Sequence, residues 1–266
     1  MGWWSETILG GDEPLDTMYD IVTDFCGFTE ELSSWGNKLN EPGIITIEIS
    51  SEEDLPKGRV WDDDLPAIKK GLEHTPIDSF FQFIGKKFTP RIAAECVAYA
   101  HMASGAAMPE SIRELALIAC ESERYLTWGR PGARAAQIAH FHSMIWYYDG
   151  LTPQRPPELG LFERFGQLAM NRDKGDQQRV SIIWDRISIH ETTTEEKAGL
   201  LKEEEKNALI EFASGNVNFA VHSLKDVHVY LMVRGLACIS DGIFEMTYDG
   251  EEVARFFMDQ DESPSP

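Results

Sequence analysis

TPRIAAECVAYAHMASGAAMPESIRELALIACESERYLTWGRPGARAAQIAHFHSMIWYYDG, residues 89–150, holds the densest apolar periodicity in the chain. It divides into three helices. The first spans 90–104: Thr89 stands at the capping position, Pro90 at the first helical position where its missing N–H is harmless, and Gly105 just past the end. The second starts at Pro109 and runs to about residue 128, with Gly129 as its stop. The third spans about 131–148. Its Ile138, Phe141, Ile145 and Tyr148 are three or four residues apart and so share one helical face, and Asp149-Gly150 ends it.

Upstream segments read as packing onto these helices. Asp12 followed by Pro14 starts a helix to about Cys26, and the run Ile44-Ile45-Thr46-Ile47-Glu48-Ile49, bounded by Pro42-Gly43 and Ser50-Ser51, predicts a strand at an edge or in a small hairpin. Pro66 opens a helix to about Leu72. Thr75-Pro76-Ile77-Asp78 opens another, whose Phe80, Phe81, Phe83 and Ile84 predict core.

Downstream, Thr152-Pro153-Gln154-Arg155-Pro156-Pro157 predicts an extended linker, because prolines at that density preclude helix. This gives a helical domain over 1–151, a linker over 152–157, a second domain over 158–258 and an acidic, disordered tail over 259–266. A boundary there predicts two separately folded pieces. Within the second domain, Leu159, Phe162, Phe165 and Leu168 line a helix, and 180–189 suits a helix or a buried strand equally. Residues 194–212 form one helix or two, 224–234 another. After them come a short strand, Asp241-Gly242 as a tight turn, a second strand and a helix start.

The formal net charge is −21 over 266 residues. Residues 1–157 hold 13 basic and 24 acidic side chains, and 158–266 hold 11 and 21, so the acidity belongs to both halves. Direct nucleic-acid binding is disfavoured, because neutralising phosphates requires a basic footprint. The acidic surface predicts either solubility alone or a protein partner with a basic surface. Candidate partner-binding residues are Asp62, Asp63 and Asp64, with Glu251 and Glu252 in the C-terminal part; if recognition is apolar instead, they are Trp128, Trp146 and Tyr147. No eighteen-residue apolar run is present, Glu6 breaks the myristoylation pattern, and a cytoplasmic location is expected, with no membrane partner.

The chemistry-bearing residue types are present without the spacings that chemistry needs. Asp62-Asp63-Asp64 lacks the alternation and the glycine turn of a calcium loop. His140 and His142 are two apart on a helix, so they point some 200° apart, and neither a His-Glu-x-x-His nor a zinc-deaminase pattern occurs. There is no nucleophile elbow and no phosphate loop, and Gly10-Gly11 lacks a third glycine. Cys26, Cys96, Cys120 and Cys238 are far apart and suggest neither disulfides nor a zinc knuckle. No catalytic, cofactor-binding or metal-ligating residue is therefore nominated.

Two resemblances add to this reading. The opening, through Gly2, Trp4, Asp12, Leu15 and Asp16, is similar to an uncharacterised family of small helical bacterial and phage proteins that begin Met-Gly-x-Trp and continue with an acidic-x-x-Leu-Asp motif. It implies a helical fold and no particular activity. Arg234-Gly235-Leu236, a strand, Asp241-Gly242, a strand and Thr247-x-x-Gly250 together resemble the winged-helix module, over about 202–258. That family implies a recognition helix in a DNA groove. Here the helix over 223–233 offers only Lys225, and the wing over 235–247 has no Lys or Arg. The expected fold is thus mainly α: a helical bundle with a small strand insert, then a winged-helix-like α+β module. The expected function is a non-catalytic acidic protein-binding adaptor or regulator, acting on a host protein if the phage likeness holds. A winged-helix DNA-binding transcription regulator and an enzyme of unknown class are the alternatives.

Overall fold

The computed structural model describes Ile8 and residues 12–26, 65–122, 131–154, 193–215, 224–240 and 242–262. Among these are ten helices and one hairpin: α1 (Asp12–Cys26), α2 (Leu65–His74), α3 (Ile77–Lys86), α4 (Pro90–Ser104), α5 (Glu110–Glu121), α6 (Pro131–Tyr147), α7 (Thr194–Gly199), α8 (Glu203–Ala213), α9 (Asp226–Val233), β1 (Ala237–Ser240), β2 (Ile243–Met246) and α10 (Tyr248–Glu262). The strand expected at 44–49, the helix expected at 159–169, the helix or buried strand expected at 180–189, and Trp4 lie outside the described residues. So do Arg155-Pro156-Pro157 of the expected linker.

The central element is α4. Every residue from Ile92 to Ser104 is buried, and Ala93, Ala94, Ala98, Ala100 and Ala103 keep the helix thin enough for α1, α2, α3 and α5 to pack against it. Thr89 occupies the N-cap, but its hydroxyl makes no capping bond; its carbonyl accepts the Ala93 N–H at 3.1 Å. At the other end Gly105 takes φ +71°. Its N–H donates to Met102 O and that of Ala106 to His101 O, a Schellman ending that satisfies two terminal carbonyls. Next in the chain, α5 stops at Glu121 with Ser122 as its cap, short of the expected Trp128.

Two polar contacts fix the end of α6. Arg113 on α5 donates to the carbonyls of Ile145, Trp146 and Tyr148, at and just past the last turn of the helix where intrahelical donors run out. The Tyr148 hydroxyl then reaches back to His101 O at 3.0 Å and Ala106 O at 2.9 Å. The chain that follows is held as well: Asp149 accepts from Leu151 N, Thr152 N and Thr152 Oγ1, and Gln154 N donates to Met102 O at 2.8 Å. Residues 151–154 therefore lie against the helical core instead of leading away from it.

A second core joins Ala198, Leu209, Leu231, Met232, Leu236, Phe244, Val253 and Phe257. The stretch expected to be one helix or two is two, α7 and α8; Thr193 caps the first by accepting from Glu196 N while Glu196 Oε2 accepts from Thr193 N. Helix α9 is buried from His228 to Val233, with apolar side chains on both sides. Val229, Tyr230 and Val233 complete the first core, whereas Leu231 and Met232 enter the second. Gly85 allows the close approach of α3, because a Cβ there would stand 3.2 Å from Leu224 Cδ1 and 3.3 Å from Val229 Cγ2. The boundary expected at 152–157 thus separates pieces of chain that α9 brings together again.

The Arg-Gly-Leu and Thr-x-x-Gly motifs have local physical roles. Gly235, at φ +75°, ends α9 with Gly235 N on Met232 O and Leu236 N on Leu231 O. Leu236 and Leu231 belong to the same apolar cluster. The Arg234 guanidinium pairs with Glu205 on α8, Nε to Oε1 at 2.9 Å and Nη2 to Oε2 at 3.3 Å. Thr247 Oγ1 donates to Gly235 O at 2.7 Å and accepts from Gly250 N at 3.2 Å, tying the hairpin's exit to its entry. A Cβ on Gly250 would lie 2.0 Å from Leu236 O, so only glycine fits. Strands β1 and β2 are antiparallel, pairing Ala237 with Met246 and Ser240 with Ile243 around Gly242 at φ +78°. Helix α10 continues through 259–262, residues that composition assigned to the tail; 263–266 lie outside the described residues.

Candidate functional site

The first turns of α3, α8 and α9 meet at a cleft of about 480 Å³ between the two cores. Its apolar lining is Phe81, Leu224, Val227 and Val229, and its charged lining is Asp78, Glu204, Asp226 and Lys225. Each carboxylate sits in the first turn of its helix, where it complements the positive end of the helix dipole. That local preference accounts for acids at these positions one at a time. The fold brings three of them to one opening, and each is exposed, with no ion pair or hydrogen bond among the described residues.

Electrostatics agree with the geometry. Partial burial pushes the Asp226 carboxyl above the usual carboxylate range, and the negative charges of Asp78 and Glu204 push it the same way. A cation entering the cleft relieves this repulsion. An ammonium or guanidinium head suits the rim, and its alkyl stem suits the floor of Phe81 and Val229. Nearby, Lys202 bridges the two cores, 2.7 Å from Glu114 Oε1 and 5.1 Å from the Tyr230 ring centroid, while the Tyr230 hydroxyl donates to Glu114 Oε2 at 3.3 Å.

Buried polar groups elsewhere are set into the core. Glu95 and Arg134 pair at 3.2 Å with both side chains sealed from solvent. His142 Nε2 lies 3.2 Å from Glu121 Oε1. The His101 ring bonds Val97 O through Nδ1 at 2.9 Å and meets the Phe80 ring edge-on; burial drives its pKa down to about 4, which leaves it neutral. Among the described residues no group of three or more His, Cys, Asp or Glu side chains is placed to hold a metal ion. Cys96 and Cys120 are buried and in no disulfide, and burial pushes the Cys26 thiol up to about 11, a poor nucleophile at neutral pH.

The residues nominated from sequence fall in separate places. Asp62, Asp63, Asp64 and Trp128 lie outside the described residues. Glu251 and Glu252 are on α10, the first exposed and the second accepting the Tyr248 hydroxyl at 2.7 Å. Trp146 and Tyr147 end α6 and are 42% and 50% exposed. Of the four that are described, Glu251, Glu252, Trp146 and Tyr147, none lines the cleft. Sequence reasoning missed Asp78, Glu204 and Asp226; a first-turn acid is legible in each case, but the convergence of the three is not.

No protein-family model, characterised protein or solved structure matches this chain. Among the described residues no helix is long and apolar enough to cross a membrane.

Proposed function

We propose that this protein is a non-catalytic acidic adaptor or regulator that binds a second protein through that partner's basic side chains. The observation that carries the reading is the cleft: three carboxylates without a described partner stand over an apolar floor, in a chain of net charge −21. Asp78, Glu204 and Asp226 join Glu251 and Glu252 as the acidic contact residues, and Asp62, Asp63 and Asp64 join them on the strength of their sequence alone. The general acidity steers encounter, and the cleft supplies a defined seat. The likeness of the opening to bacterial and phage proteins makes a host protein the partner to look for.

The test uses an arginine-rich peptide as probe. Calorimetry at about 0.01 M salt should show binding that weakens strongly by about 0.1 M, as the screening length falls from about 30 to about 10 Å. Joint substitution Asp78→Asn and Asp226→Asn should weaken binding more than joint Glu251→Gln and Glu252→Gln. Equal losses would assign binding to the diffuse charge and remove the cleft from the reading. No binding at low salt would overturn the reading altogether.

The alternative, a winged-helix DNA-binding regulator, draws on the order of three helices, hairpin and helix in the C-terminal part. It requires the third of those helices to be free for a groove. Helix α9 instead has Val229, Tyr230 and Val233 in one core and Leu231 and Met232 in the other, which favours the adaptor. Duplex DNA retained with a steep salt dependence would reverse this preference.

A further inference from the structure

No further inference is drawn: the strongest candidate outside the cleft, the buried polar pairs that α6 makes with its neighbours, Arg134 with Glu95 on α4 and His142 with Glu121 on α5, is a set of groups buried in the helices of the first core, and nothing in the structure points to a ligand for it.

Discussion

Replacing Tyr230 by alanine should destabilise both cores at once. The side chain is 7% exposed, its ring is 5.9 Å from that of Phe81, and its hydroxyl meets Glu114 Oε2 at 3.3 Å and Ser111 O at 3.4 Å. Truncating a buried aromatic costs about 3–5 kcal/mol through lost transfer energy and the cavity left behind. The two hydroxyl contacts are long, so Tyr230→Phe should cost only about 0.5–1.5 kcal/mol. In a chain of 266 residues, at an unfolding entropy of about 2.1 cal/mol/K per residue, 3–5 kcal/mol corresponds to a fall in Tm of roughly 5–9 °C. Because neighbouring residues of α9 serve the other core, calorimetry should show one transition that moves as a whole. Two transitions, with only one shifted by Tyr230→Ala, would refute the claim that α9 couples the halves. A shift under about 2 °C would refute the packing estimate itself.

Four further outcomes are expected. Cleavage within 152–157 should leave fragments that co-elute in gel filtration, since Val229, Tyr230 and Val233 finish the first core; clean separation into two folded pieces would restore an independent C-terminal domain. Gly250→Ala should match or exceed the roughly 1–3 kcal/mol usual for overpacking, measured by urea denaturation, because the new Cβ meets a backbone carbonyl that cannot swing aside. His101, with its pKa near 4 when folded against 6.5 for the free side chain, binds fewer protons folded than unfolded between those values. Stability should therefore drop as pH falls from about 6.5 to about 4, by on the order of 3 kcal/mol more than in a His101→Gln variant, and parallel pH profiles would contradict this. Carboxyl NMR should find Asp226 titrating above the normal aspartate midpoint, with Asp78→Asn returning it towards normal and an arginine-rich peptide lowering it; an unshifted midpoint in all three states would remove the like-charge account of the cleft.

The sequence by itself determined the helices whose ends are written in local chemistry. Pro90 and Gly105 bracket α4 because one residue lacks an N–H that a first turn does not need and the other accepts positive φ. The hairpin was legible for the same reason: its turn and the motifs on either side depend on glycines at Gly235, Gly242 and Gly250. Where the local signal was a composition, it left the path of the chain open. Proline density at 152–157 suggested a free spacer, but Gln154 N bonds Met102 O, and acidic residues 259–262 continue α10 because its first turns are anchored by Val253, Ala254 and Phe257 in the second core.

Tertiary structure alone decided how α9 is used and where the cleft lies. An eight-residue helix whose apolar side chains lie on both sides must be largely buried, but nothing local says against what. Its neighbours on α3, α4 and α5 are more than a hundred residues away in sequence. Asp78, Glu204 and Asp226 are each ordinary first-turn acids, and no spacing links them. They converge because three separate helices begin at one opening, and electrostatic interaction depends on distance through space, not on separation along the chain.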